Sequence, residues 1–192
     1  MHSNAAFSLG VFSDMKYTDK AVNNAPMLAV DSQRNISVDW KKHAQPWITY
    51  MTQNLSHGPY ISHELDRIGG GQNVAVVIGI GQHLRAFPLE LFINRLLSIR
   101  RAIQRLVARS PQTTVFIKLE NTRELTSVMV CFSDWHGHLQ NLAQREVFGD
   151  LRVGIVDAWD MAVAANTFVI HPSSAIIAHQ VDVLLSHLCP AQ

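Results

Sequence analysis

Val74–Ile80, read VAVVIGI and followed at once by Gly81-Gln82-His83, is the stretch whose reading decides the fold. It is a continuous apolar run of strand length, rich in β-branched residues, and the breaker Gly69-Gly70-Gly71 precedes it. That pattern predicts a strand buried on both faces, as in a parallel sheet, and parallel strands need crossover helices between them. The chain downstream supplies them. From Pro88 to Arg109 the apolar residues Leu89, Phe92, Leu96, Ile99, Ile103 and Leu106 step by three and four. Proline stands at the first turn and Pro111 just beyond the end, so the segment reads as an amphipathic helix. Its arginines, Arg95, Arg100, Arg101, Arg105 and Arg109, fit a solvated outer face better than an anion-binding stripe.

Thr114–Leu119 reads as a second buried strand and Val153–Val156 as a third. A loop and a helix around His138–Phe148 separate them, and a last helix runs from about Ser174 to Leu188. Strands alternating with helices predict an α/β fold with parallel pairing through right-handed crossovers. Upstream, Leu28 and Val30, then Ile36, Val38 and Trp40, alternate on either side of a polar turn and predict a hairpin. A short helical segment lies near Ile61–Arg67.

The composition bounds the function. A chain of 192 residues with 47% hydrophobic and 16% charged residues has the makings of one compact domain, not of a disordered or heavily solvated chain. A net charge of +1 gives no sequence-independent attraction to nucleic acid or to an anionic membrane. No apolar run approaches the roughly 20 residues of a spanning helix, and MHSNAAFSLGVFSD has neither a basic leader nor a continuous apolar core, so no signal peptide is expected in this chain. Cys131 and Cys189 lack Cys-x-x-Cys spacing; one disulfide or two free thiols both fit. Asn35-Ile36-Ser37 and Asn54-Leu55-Ser56 are glycosylation acceptor patterns that permit a secretory setting without requiring one.

In open parallel sheets ligands bind beyond the carboxyl ends of the strands. Gly79-Ile80-Gly81-Gln82-His83 follows the first buried strand, Glu120-Asn121 the second, and Asp157-Ala158-Trp159-Asp160 the third, with His171-Pro172 next. A histidine base, a carboxylate to orient it and small or amide-bearing residues facing an oxyanion are the parts of an acyl-transfer site. Gly79-Ile80-Gly81 lacks the third glycine and the acidic ribose partner of a dinucleotide site. His136-Gly137-His138 supplies too few ligands, on different helix faces, for a metal site. No metal or organic cofactor is expected.

LAVDSQRNISVDWKKHAQPW, IGIGQHLRAFPLELFINR, RSPQTTVFIKLENTRE, FSDWHGHLQ and VGIVDAWDMAVAANTFVIHP together resemble the C-terminal domain of the neurexophilin and PC-esterase (NXPE) family. That domain is itself similar to SGNH-type, GDSL-like hydrolases. The match runs from about Leu28 to Cys189, with GQHxRxFP and DAWDM its most specific parts. Residues 27–192 are thus expected to form the PC-esterase-like domain, incomplete at its amino end, and 1–26 a poorly matched segment. The resemblance implies a three-layer α/β/α flavodoxin-like sheet of about five strands. It further implies esterase or acyltransfer chemistry on O-acyl groups of an acylated glycan or glycoprotein, in the Golgi lumen or after secretion. Acetyl-CoA would serve as acyl donor only if the reaction is transfer.

Carried over residue by residue, the resemblance makes His171 the general base, Asp157 its orienting acid and Asp160 the second choice. Gly81 and Gln82 stand where such proteins place oxyanion donors, with His83 close by, and Glu120 and Asn121 face the substrate. Phe168 occupies the position, three residues before the histidine, where the acid usually stands. The family's Gly-Asp-Ser nucleophile motif has no match in residues 1–27, where Phe12-Ser13-Asp14 differs in order and lacks the glycine. In the flavodoxin-like order the strand bearing that motif is central, so its absence predicts an open edge beside Val74–Ile80. Either Ala6–Phe12 supplies a substitute strand or the chain is part of a longer product. The other functional class that fits is a catalytically inactive extracellular or secretory-pathway module that binds a protein partner.

Overall fold

The computed structural model describes residues 14–17, 27–43, 59–124 and 132–189. Ala6–Phe12, Ser13, Asn54 and Cys131 lie outside the described residues. The chain is α/β, and its described residues form two three-stranded sheets. The first is an antiparallel meander of β1 (Asp14–Tyr17), β2 (Met27–Asp31) and β3 (Ile36–Trp40). The expected hairpin is its β2–β3 half. Asp31 makes the turn by accepting the backbone N–H groups of Gln33 at 3.1 Å and Arg34 at 3.0 Å. Asn35 closes it at φ 54, in the left-handed region that asparagine tolerates better than most residues.

After β3 come α1 (Ile61–Arg67), β4 (Ala75–Gly79), α2 (Leu89–Arg109), β5 (Thr114–Lys118), α3 (Asp134–Phe148), β6 (Gly154–Val156), α4 (Ala158–Ala164) and α5 (Ser174–Leu188). Strands β4, β5 and β6 pair in parallel in that order, with Val77 opposite Phe116 and Phe116 opposite Gly154. Helices lie on both faces, as in a flavodoxin-like three-layer fold. On one face Ile78, Ile80, Val115, Ile117 and Leu119 meet the stripe of α2, Phe92, Leu96, Ile99, Ile103 and Leu106, and Leu65 and Phe148 close the ends. The helix period read from the sequence is the period of this buried stripe. On the other face α5 lies over the β5–β6 side, where the ring of His187 meets that of Phe116 edge-on at 5.8 Å.

At β4 the sheet departs from one expectation, a strand buried on both faces, and agrees, among the described residues, with the other, an open edge beside it. Val115, Phe116 and Ile117 of central β5 are buried on both faces, but in β4 only the α2 side is covered. Ala75, Val77 and Gly79 point to the α5 side and are exposed, Val77 by 47%. The reason is position. Among the described residues β4 has one strand partner, and α5 packs on the β5–β6 half of the sheet.

Candidate active site at the strand ends

Chain direction brings the ends of β4, β5 and β6 to one side of the sheet. Beyond β4 the backbone turns sharply, as Leu84 donates its N–H to Gly81 O at 2.6 Å. Leu84, fully buried, anchors this one-turn 3-10 segment in the core. Gly81 permits a close approach: a Cβ there would stand 2.5 Å from Cγ of Glu120, whose side chain would have to shift. The loops after β4 and β5 are therefore in contact, and Gly81 and Glu120 meet as the strand-end rule anticipates.

Glu120 and Asn121 are held from three directions. Asn141 on α3 accepts the N–H of Glu120 at 2.9 Å and donates to its carbonyl at 3.3 Å. Gln180 on α5 donates to Oδ1 of Asn121 at 3.2 Å. The third hold is Arg85, whose side chain is fully buried. Its Nη2 donates to the carbonyl of Asn121 at 2.8 Å. Its Nη1 donates to the carbonyl of Phe132 at 3.1 Å and to Oδ1 of Asp134 at 3.3 Å, and Glu120 lies 3.9 Å away. One guanidinium thus ties the loop after β4, the loop after β5 and the first turn of α3. Nε of Arg85 and Oε1 of Gln82 are buried without hydrogen-bond partners among the described residues.

Around this clamp stand further groups that the sequence did not single out. Asp134 accepts the N–H of Arg123 at 2.7 Å, and the Arg123 guanidinium lies over the Phe132 ring at 4.9 Å. Thr122 donates to the carbonyl of Thr167 at 2.7 Å, fastening the β5 loop to the segment that leads to His171. Lys118 ends β5, and desolvation holds its ammonium below the ordinary lysine value against the opposing pull of Glu120. Arg85 sits inside the GQHxRxFP stretch, so its motif was visible even though its burial was not.

The remaining candidate residues are distributed around the same edge. His83 turns toward His43, ring centroids 5.5 Å apart, beside a small cleft lined by His43, Tyr60, Ser62, Ile80 and Arg95. Asp157 caps α4, accepting the N–H of Asp160 at 3.2 Å, and pairs with Arg145 of α3. Asp160 is exposed. His171 follows Thr167 and is exposed; desolvation, with the nearby Arg123 cation, holds its imidazole below the ordinary histidine range. His171 is not among the hydrogen-bond or ion-pair partners of Asp157 or Asp160. Asn35 is exposed in its turn, and Cys189 is an exposed free thiol. Among the described residues no three histidine, cysteine or acidic side chains cluster as metal ligands, and no helix is long and apolar enough to cross a membrane.

A histidine biased toward its neutral form and a glycine loop packed against the Glu120 side chain thus stand at the same edge of the sheet. Residues 8–189 match the family model described as NXPE family member 4-like, C-terminal domain. No solved structure matches the chain.

Proposed function

The chain belongs to the NXPE family, over its C-terminal domain, and from that premise we propose that it supplies the base and oxyanion side of acyl transfer or hydrolysis on O-acyl groups of carbohydrate. The observation that carries the reading is the clamped loop pair, in which Gly81 lies against Glu120 while Arg85 and Asn141 fix the backbone around them. An oxyanion loop must be rigid before the substrate arrives, and each donor it offers is worth about 3 kcal/mol in the transition state. His171, biased toward the neutral form, acts as the base; Asp157 and Asp160, the acids that the resemblance offers it, do not contact it, so its acid partner is not among them in this geometry. The attacking group is the serine of the family's Gly-Asp-Ser motif, a tripeptide that does not occur in these 192 residues. The setting is the secretory pathway or the cell exterior.

The test is a titration of the isotope-labelled chain with an O-acetylated methyl glycoside, following the backbone amides of Gly81, Gln82 and His83. Saturable shifts that the deacetylated glycoside does not produce are expected. Amides that ignore the acetyl group would overturn the oxyanion assignment. Hydrolysis of an activated acetyl ester by the chain, lost in His171→Ala, would overturn the placement of the nucleophile outside it.

A second reading is a catalytically inactive module that binds a protein partner. One observation favours it: the Asp157 carboxylate is already engaged by Arg145 and by the amino end of α4. In that case the strand-end amides respond to neither glycoside.

A further inference from the structure

Helix α5 is rich in apolar residues, among them Ile176, Ile177, Val181, Val183 and Leu184, yet its one buried residue is an amide, Gln180. Only 6% of that residue is exposed. Gln180 and His187 stand seven positions, about two helical turns, apart and so share a face of the helix. His187 meets the Phe116 ring in the middle of β5, and Gln180 reaches Asn121 just beyond the end of the same strand. The ring contact thus sets the height at which α5 holds its amide at the strand ends.

What Gln180 fixes is the last freedom left to Asn121. The backbone around it is already held: Asn141 brackets the N–H and carbonyl of Glu120, Arg85 takes the carbonyl of Asn121, and Thr122 is tied to the carbonyl of Thr167. Only the side chain can still turn, and a carboxamide has an accepting end and a donating end. Nε2 of Gln180 donates to Oδ1 of Asn121 at 3.2 Å, which engages the accepting end. The donating end stays available. Nδ2 of Asn121 makes no hydrogen bond among the described residues and, unlike Nε of Arg85 and Oε1 of Gln82, is not shut away from solvent. A methionine in place of Gln180 would let the Asn121 amide turn either way. A glutamate would reverse it, because a carboxylate only accepts and would draw the N–H groups of Asn121 to itself.

We propose that Gln180 is a positioning residue, whose amide turns Asn121 so that Nδ2, and not Oδ1, is the group offered to the substrate. Such a donor selects a ligand oxygen that accepts a hydrogen bond, and being fixed beforehand it needs no reorganisation when charge develops there. The inference rests on the acyl-transfer reading for the identity of that oxygen, the acyl carbonyl. It rests on the contact between Gln180 and Asn121 alone for the direction of the amide.

The experiment follows the side-chain NH2 resonances of Asn121 in the isotope-labelled chain, first alone and then with an O-acetylated methyl glycoside or its deacetylated form. Alone, these protons are expected to exchange with water as an open amide does, and Gln180→Glu should slow them. The acetylated glycoside should shift them saturably and the deacetylated one should not. Gln180→Glu is expected to weaken that binding roughly tenfold, the worth of one good hydrogen bond, and Gln180→Met a few-fold. Asn121→Asp still offers an acceptor to Gln180 but no donor to the ligand, so it should lose the response while unfolding near the wild-type urea midpoint. Slow exchange in the unmodified chain would overturn the inference, as would unchanged binding by Gln180→Glu. Binding losses that track loss of stability across all three variants would overturn it in favour of a purely structural amide. Shifts at the Gly81 amide without shifts at Asn121 would keep the acyl reading and sink this one, and shifts at Asn121 without shifts at Gly81 would do the reverse. Silence at both residues, or an equal response to the deacetylated glycoside, would overturn both.

Discussion

Gly137 faces the guanidinium of Arg85 so closely that a Cβ on it would lie 2.4 Å from Cζ. Gly137→Ala is expected to push the guanidinium off the carbonyls of Asn121 and Phe132 at a cost of about 3–5 kcal/mol, the range for a buried charge that loses its partners. In an Arg85→Ala background the same change should reverse sign and stabilise by roughly 0.5–1 kcal/mol, because alanine is the better helix former. Urea unfolding of the four proteins closes the cycle. Costs that simply add would show that the two residues are not coupled.

Asp157→Ala is expected to cost about 1 kcal/mol through loss of the α4 cap. Arg145→Gln should cost less than about 1 kcal/mol, since the pair is partly exposed. If both variants lose the response of the Gly81 amide to acetyl glycosides, the ion pair positions the site. Loss in Asp157→Ala alone would assign the role to the carboxylate itself.

The His171 ring is expected to titrate below the usual value near 6.5, followed by its imidazole proton resonances. Desolvation is the larger cause, so Arg123→Gln should raise the midpoint only part of the way. The linkage sign follows. Below the unfolded value the unfolded chain binds more protons at this site than the folded one, so stability rises with pH through that window and falls on acidification. A midpoint at or above 6.5 would remove the neutral base.

Lys118→Met is expected to stabilise the fold at neutral pH, because it removes an ammonium that desolvation disfavours. The folded-state pKa lies below the ordinary lysine value, so the native amine sheds its proton first as pH rises and the burden of charge shrinks. The gain in thermal midpoint over wild type should therefore narrow between neutral pH and about pH 10. A gain that does not change with pH would point to packing instead of charge.

Ile78 and Val77 are neighbours on opposite faces of β4. Ile78→Ala is expected to cost about 2–5 kcal/mol, the range for a buried aliphatic truncated in a packed core. Val77→Ala, at a position 47% exposed, should cost less than about 1 kcal/mol. Chemical unfolding of the two variants makes the comparison.

What could be read from the sequence was the part governed by local period. The stripe Phe92, Leu96, Ile99, Ile103 and Leu106 and the apolar runs of β4 and β5 announce their elements because core packing repeats with the helix or the strand. Gly81, Gln82, Glu120 and Asn121 were legible for a different reason, since chain direction in a parallel sheet dictates which residues follow strand ends. The Arg85 clamp was not legible. An arginine in a polar loop looks solvated, and its burial depends on the missing side chain of Gly137 and on carbonyls far along the chain. The exposure of Val77 runs against the apolar run, which says only that a strand suits burial, but agrees with the open edge expected beside β4 where the strand bearing Gly-Asp-Ser has no match.

Ala75, Val77 and Gly79 leave a small apolar shelf on the folded molecule. A fluorophore that brightens in apolar surroundings will find that shelf before any heat is applied, so a dye-based melting curve should begin bright, while circular dichroism begins from an ordinary baseline. The starting brightness then becomes a signal of its own. Whatever seats against β4 will dim it at room temperature, well before any change in melting point reports the same event.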